Sequence, residues 1–191
     1  MKAVNWQDKF DNVFQELSWE EKTGSAFERI GYQVLLNPAP DGNCQFGAIC
    51  DQLSRLDISQ MSPADLRQAA VNYMIEHRIS PLSDRPDFST TFDSDRFSSF
   101  ENNITTMAQD ATYGDHLTLQ ALSELFFVPI NVCSAQGKMY DRVNVPREGL
   151  TDLPIVYLGY FPEGNGEHYV SLETVVDFEV GDETVDGRIC F

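Results

Sequence analysis

The sequence predicts a single α+β domain in which most helices precede the strands of a small, mostly antiparallel sheet. Three observations support this fold class. The chain has 191 residues, 42% of them hydrophobic, which is enough to bury one substantial core. Apolar residues recur at three- and four-residue spacing up to about Phe126, and short apolar runs bounded by turn residues follow it. Neither a repeat nor a low-complexity tract interrupts this order.

The individual elements follow from periodicity and capping signals. A capping box at Ser18 predicts a helix, and an amphipathic helix before it carries a stripe that we interpret as a packing face: Trp6, Phe10, Val13, Phe14 and Leu17. Later helices are expected over residues 44–56, 62–79, 97–109 and 115–126. Strands are expected at Gln33–Leu36, Ile130–Ser134, Met139–Val145, Ile155–Phe161 and His168–Glu173. Residues 80–99, rich in Ser, Asp and Pro, predict an irregular excursion.

Cys44 lies at the junction of a turn and a helix. The preceding Asp41-Gly42-Asn43 has strong turn chemistry, because glycine tolerates positive φ and Asp and Asn side chains bond their own backbone. The helix that follows places Cys44 at its N-terminus, where unpaired N–H groups and the helix dipole favour a thiolate. The same amides can hold a developing oxyanion. The local geometry therefore suits a nucleophile.

A nucleophilic cysteine requires a base, and the chain has three histidines. His77 lies near the C-terminal end of a predicted helix and His116 in the first turn of another. His168 instead opens the predicted strand His168–Glu173. A histidine at the start of a central strand can be held rigidly against a cysteine on a packed helix, so His168 is the predicted base.

Several short motifs occur in a fixed order along the chain: Asp41-Gly42-Asn43-Cys44 with Phe46 and Ala48, Asp51-Gln52-Leu53, Tyr113-Gly114-Asp115 with Leu119, Pro129-Ile130-Asn131-Val132, and His168-Tyr169 with Ser171 and Leu172. Together they resemble the ovarian tumour (OTU) family of cysteine deubiquitinases. The resemblance implies a papain-type cysteine protease fold with its catalytic domain over residues 32–173. Residues 1–31 are then an N-terminal helical extension packed on the domain, and residues 174–191 are an acidic tail.

The resemblance implies thiol-dependent hydrolysis of peptide or isopeptide bonds after the C-terminal glycine of ubiquitin. Cys44 would form the thioester and His168 would act as the base. Backbone amides of Gly42, Asn43 and Cys44 would hold the oxyanion, and Asp41 would fix their loop. No metal or organic cofactor is required.

One position departs from the family pattern. Residue 170 shares a strand face with His168, and many OTU enzymes place Asn or Asp there to orient the imidazole. Val170 cannot accept a hydrogen bond. We therefore predict that Asn37, which precedes the catalytic turn, bonds Nδ1 of His168. The alternatives are Asn131, an acidic residue of the tail, or a bare cysteine–histidine pair.

Charge and cysteine usage limit the class of partner and compartment. The formal charge is −17, with 13 Lys+Arg against 30 Asp+Glu, which argues against nucleic acid and favours a basic protein surface such as that around the tail of ubiquitin. No apolar run is long enough for a membrane, and the first residues lack the hydrophobic centre of a secretory signal. The four cysteines show neither metal-site nor disulfide spacing. We expect free thiols in the reducing cytoplasm and a monomeric protein.

Further assignments follow from the resemblance and from packing arguments. Ubiquitin or polyubiquitin is the implied partner, and Tyr169 is expected beside the channel that receives its Gly-Gly tail. Cys50 and Cys133 are predicted to be packing residues, and Cys190 an incidental thiol near the terminus. Two other functions remain open, namely a non-catalytic ubiquitin-binding OTU module and a protease for another ubiquitin-like modifier.

Overall fold

The computed structural model describes residues 26–79, 87–135, 139–143, 153–162 and 168–175. The amphipathic helix predicted over Trp6–Leu17, the start of the helix predicted at Ser18 and the acidic tail from residue 176 onward lie outside these residues. Cys190 and the last two residues of the predicted strand Met139–Val145 also lie outside them. The domain boundaries assigned from the sequence therefore stay predictions.

The described elements follow the expected order, with one strand before a run of helices and four strands after it. The helices are α1 (Cys44–Arg55), α2 (Pro63–Glu76), α3 (Phe88–Thr91), α4 (Phe100–Met107) and α5 (His116–Phe126). The strands are β1 (Tyr32–Leu36), β2 (Ile130–Ser134), β3 (Met139–Val143), β4 (Val156–Phe161) and β5 (His168–Thr174). Most of the predicted elements are confirmed, with ends that shift by a few residues.

Capping residues fix the starts of α2, which packs on α1, and of α5, which packs on α2. The Ser62 hydroxyl accepts a hydrogen bond from the Asp65 amide at the start of α2, where Pro63 is the first helical residue. Asp115 and Thr118 form a reciprocal capping box at the start of α5.

Helix α3 lies inside a stretch that was predicted to be irregular, and this part of the prediction is wrong. The side chain of Phe88 is fully buried in the main core and anchors the segment. The hydroxyls of Thr90 and Thr91 both donate to the Asp87 carbonyl and close the turn. A single buried aromatic in a polar stretch carries no periodicity, so the sequence pattern missed it.

In the part of the chain that the structure describes, the sheet has five strands in the order β1-β5-β4-β2-β3. Neighbouring strands run antiparallel except for β2 and β4, which are parallel. Helix α1 packs on β5 and β4, and the main hydrophobic core lies on that side of the sheet. A smaller cluster contains Phe27, Cys133, Phe161, Val170 and Leu172. The sheet therefore places β5, which begins with His168, between β1 and β4.

None of the helices in the described ranges is both long and apolar enough to cross a lipid bilayer.

Candidate active site

Cys44 is the first residue of α1, and its side chain is 1% exposed. The sulfur accepts a hydrogen bond from the backbone amide of Tyr169, the residue that follows His168. The amides of Gln45 and of Cys44 itself also point at the sulfur. The fold therefore brings the sulfur of the predicted nucleophile to the start of β5, at the residue that follows the predicted base.

Asn37 contacts the imidazole of His168, as predicted, but at the other ring nitrogen. Its side-chain oxygen lies 2.6 Å from Nε2 of His168, and the histidine is fully buried. The expectation that Asn37 would bond Nδ1 is wrong. A carboxamide oxygen can only accept, so Nε2 carries the proton in this contact and Nδ1 is the nitrogen with a lone pair. This tautomer is the one that can take a proton from a thiol.

A bulge in β1 explains how Asn37 reaches His168. Val34 lies opposite Leu172, whereas Leu36 lies opposite Ser171, so β1 contains one extra residue at this point. Antiparallel partners project from the same face of a sheet, and continuing the shifted register places Asn37 opposite Val170. In an unshifted register Asn37 would project from the opposite face. The extra residue therefore turns Asn37 toward the face that carries His168.

Val170, the departure from the family pattern, lies in the smaller hydrophobic cluster. It is fully buried and packs with Phe27, and one of its methyl groups would lie 2.7 Å from a Cβ added to Gly159. A polar side chain would have no room to form a hydrogen bond on this surface. The neighbouring strand supplies the polar group, and position 170 serves packing.

Gln52 holds α1 against the sheet. Its buried side-chain amide donates to the Leu172 carbonyl at 2.9 Å and to the Ser171 hydroxyl at 2.8 Å, and its oxygen accepts from the Tyr157 amide at 3.0 Å. Both β4 and β5 are thus bonded to one side chain of the helix that begins with Cys44. Buried amides of this kind fix the relative position of the elements they join.

The turn before Cys44 is closed by its own side chains. Asp41 Oδ1 accepts a hydrogen bond of 2.9 Å from the Asn43 amide. This bond occupies one of the three amides assigned to the oxyanion, so the expectation for Asn43 is not met in this conformation. Within the described residues, the amides of Gly42 and Cys44 donate to no backbone carbonyl. Gly42 has a φ of +84°, and an added Cβ would lie 2.0 Å from the Ala111 oxygen, so glycine is required there.

Burial dominates the electrostatics of the pair. Desolvation raises the pKa of the Cys44 thiol above its ordinary value, the backbone amides of Tyr169 and Gln45 act in the opposite direction, and the Asp41 charge also raises it. Burial likewise lowers the pKa of His168, and Asp41 raises it. The amides at the helix N-terminus thus favour the thiolate as expected, but desolvation outweighs them in this conformation. Burial therefore favours the neutral form of both groups.

The other residues singled out in the sequence lie elsewhere in the fold. The ring of His77 packs edge-to-face on Tyr73 at the end of α2, and His116 is the first residue of α5. Asn131 lies on β2, which β4 separates from β5. Cys50 packs against the main core, and Cys133 is buried in the smaller cluster. Cys44, Cys50 and Cys133 are all free thiols.

No metal site is evident among the side chains that the structure describes, in residues 26–79, 87–135, 153–162 and 168–175. These contain no group of three or more His, Cys, Asp or Glu side chains that could hold an ion.

The sequence reasoning missed Arg67, a charged residue buried beside the Cys44 turn. One signal could have identified it. Leu66, Ala70, Val71 and Met74 form the buried stripe of α2, and Arg67 lies within that stripe, where a solvent-exposed cation would not be expected.

A cysteine thiol beside a histidine whose second nitrogen bears a carboxamide can attack a carbonyl carbon and pass its proton to the leaving group. This arrangement on an α+β fold defines a papain-type cysteine protease. The family described as OTU: OTU-like cysteine protease matches residues 39–169. The chain belongs to this family.

Individual relatives and solved structures agree with the family assignment. The chain is 29% identical over 145 residues to deubiquitinase OTUD6B of Mus musculus, covering 72% of this chain and 45% of that protein. It thus spans less than half the length of this relative. The structure of the OTUD1 OTU domain has a TM-score of 0.51 at 21% identity and covers 81% of this chain and 93% of that chain. The structure of an OTU deubiquitinase from Wolbachia pipientis wMel bound to ubiquitin has a TM-score of 0.52 at 14% identity, and it covers 76% of this chain and 97% of that chain. At these identities the two structures establish a shared fold, which confirms the fold prediction.

Proposed function

We propose that the protein is a cysteine deubiquitinase that hydrolyses the bond after the C-terminal glycine of ubiquitin. The observation that carries this proposal is the 2.6 Å contact of Asn37 with Nε2 of His168, at the start of the strand that also bonds the Cys44 thiol. Membership of the OTU family and the similarity to the deubiquitinase OTUD6B support ubiquitin as the substrate. The ubiquitin-bound Wolbachia structure has the same fold.

The reaction begins with transfer of the thiol proton. His168 accepts the Cys44 proton at Nδ1 as the sulfur attacks the glycine carbonyl, and the resulting imidazolium is stabilised by the Asn37 oxygen at Nε2. The tetrahedral intermediate collapses when the carbon–nitrogen bond breaks and the imidazolium protonates the leaving lysine amine. Water, deprotonated by His168, then hydrolyses the thioester and restores the Cys44 thiol.

The oxyanion is held by the amides of Gly42 and Cys44. The Asn43 amide is bonded to Asp41, whose role is to fix the turn. Tyr169 lines the channel for the Gly-Gly tail, because its backbone amide already touches the Cys44 sulfur and its ring lies 4.9 Å from that of Tyr160.

The domain boundaries, the oligomeric state and the compartment are proposed from the sequence. Residues 32–173 form the catalytic domain, which encloses the family match over 39–169. The protein acts as a monomer in a reducing cytoplasm, without nucleic acid or membrane as a partner.

Cleavage of the full set of diubiquitin linkages tests the proposed function. Purified protein should release monoubiquitin from at least one linkage, and Cys44→Ala should abolish the release. The matched control is Cys50→Ala, which removes another thiol of the same helix and should keep activity. Equal cleavage by the Cys44→Ala protein, or no cleavage of any linkage by the unmodified protein, would contradict the proposal.

A further inference from the structure

Arg67 is a buried cation that bonds both loops beside Cys44. Its side chain is 3% exposed. Nη2 lies 3.1 Å from the Gly42 carbonyl, 2.6 Å from Asn43 Oδ1 and 2.7 Å from the Thr112 carbonyl. Nη1 donates to the Met107 carbonyl at 3.1 Å. One guanidinium therefore connects the turn of residues 41–43, here called the Cys loop, to residues 107–112, here called the second loop.

The acceptors of Arg67 are all neutral oxygens. The ion pairs found in the described part of the chain involve Arg55 and Arg78 instead. The guanidinium stacks on the Phe46 ring, with its central carbon 4.2 Å from the ring centroid. Burial lowers the pKa of Arg67, although the charges of Asp110 and Asp41 favour the guanidinium without bonding it directly. An apolar side chain could fill the same space against Phe46 without this desolvation cost. The forked geometry of the guanidinium is what an apolar residue cannot supply.

The two loops also touch directly, so Arg67 joins surfaces that are already close. The Cys loop approaches the second loop so tightly that a Cβ on Gly42 would meet the Ala111 carbonyl. Asn43 Nδ2 donates to Asp110 Oδ1 at 3.0 Å. Asn43 is therefore held at its oxygen by Arg67 and at its nitrogen by the second loop. A displacement of either loop must therefore break hydrogen bonds that connect it to the other loop.

The bond to the Gly42 carbonyl has a consequence for the oxyanion donors. The peptide that contains this carbonyl lies between the amides of Gly42 and Cys44, and its orientation sets the dihedral angles on both sides. We infer that Arg67 is a positioning residue that holds the Cys loop and the second loop as one unit and thereby aims the Gly42 and Cys44 amides at the oxyanion. This inference rests on the proposed function for its catalytic consequence, but not for the coupling of the loops.

Two substitutions of Arg67 test the kinetic consequence. Lysine in Arg67→Lys keeps the charge but cannot reach both loops with one planar fork, and Arg67→Met removes the charge with similar length. Activity is measured on a fluorogenic ubiquitin substrate and divided by the active sites titrated with a ubiquitin electrophile. We expect kcat per site to fall about 100-fold in Arg67→Lys, with KM changed less than about threefold, because misplaced oxyanion donors act on the transition state. The matched control Arg78→Lys, at an exposed arginine paired with Glu101, should be unchanged.

A role limited to stability would lower the melting temperature and the number of titrated sites but leave kcat per site unchanged. That result for Arg67→Lys would overturn the inference. Asn43→Ala offers a milder perturbation, because it removes the 2.6 Å acceptor from a half-buried side chain and should lower kcat in the same direction.

Hydrogen–deuterium exchange tests the coupling without substrate. Peptides that cover residues 41–44 and 107–112 should exchange faster together in Arg67→Lys and in Asn43→Ala, while peptides from β4 keep their wild-type rates. Faster exchange in only one loop, or in neither, would overturn the inference. If the unmodified protein does not hydrolyse ubiquitin substrates, the proposed function is contradicted. The exchange result would still decide whether Arg67 couples the two loops.

Discussion

Removal of the Asn37 side chain should slow catalysis by weakening one hydrogen bond. In the transition state His168 becomes an imidazolium, and the Asn37 oxygen, 2.6 Å from Nε2, accepts from a charged donor. Hydrogen bonds to charged groups contribute about 1.5–3 kcal/mol, and each 1.36 kcal/mol corresponds to about a tenfold change in rate. The full loss would therefore slow kcat about 10- to 150-fold.

Exposure of the site decides where in this range Asn37→Ala falls. His168 is fully buried, but Asn37 is half-buried, so water can enter the vacated position and partly replace the lost acceptor. We expect kcat to fall about 10- to 50-fold, with little change in KM because Asn37 lies behind the ring relative to the thiol. The assay is hydrolysis of a fluorogenic ubiquitin substrate at saturating concentration, corrected for titrated active sites.

The matched control is Asn37→Asp, which keeps an oxygen acceptor at the same position. It should retain activity within about threefold. The acid limb of its pH–rate profile should move to higher pH, because a carboxylate favours the imidazolium form of His168. If Asn37→Ala keeps kcat within twofold of the unmodified protein, the assignment of Asn37 is wrong and the site works as a bare cysteine–histidine pair.

Three further predictions follow from the site. Val170→Asn should lower the free energy of unfolding by about 1–3 kcal/mol, measured by urea denaturation, because it buries an amide among apolar side chains; a rise in kcat would contradict the role assigned to Asn37. The rate of Cys44 alkylation by iodoacetamide, followed by peptide mapping, should rise with pH to a midpoint above that of an ordinary cysteine thiol, because burial raises the thiol pKa; a midpoint below the ordinary value would indicate a preformed thiolate. Raising the salt concentration should lower kcat/KM for ubiquitin mainly through KM, because a chain of charge −17 gains on-rate from steering that a Debye length of about 8 Å only partly screens; a flat profile would place the acidic residues away from the binding face.

Local signals were sufficient to predict most of the fold. Ser62 and Asp115 begin helices because their side chains cap them, and those bonds depend on residues three positions away. The strand that begins with His168 was equally visible as an apolar run after a turn. Local signals did not predict the helix that begins with Phe88, because that helix depends on burial of Phe88 against distant elements.

The candidate site was predictable in its residues but less so in its geometry. Asn37 contacts His168 as expected and Cys44 lies against the next residue, Tyr169, but the ring nitrogen that Asn37 contacts was wrong. The nitrogen depends on a one-residue bulge in β1, and nothing in Tyr32–Leu36 distinguishes the two registers. The thiol pKa depends on how completely the sheet covers the helix N-terminus, which a dipole argument on one helix cannot include.

The most direct test of the central claim is covalent labelling by ubiquitin that carries a C-terminal vinyl methyl ester. Intact mass and peptide mapping should find one ubiquitin adduct, on Cys44, in the unmodified protein and in Cys50→Ala, and none in Cys44→Ala. The same electrophile on other ubiquitin-like modifiers should react more slowly. An adduct on Cys44→Ala, or labelling by another modifier but not by ubiquitin, would contradict the account.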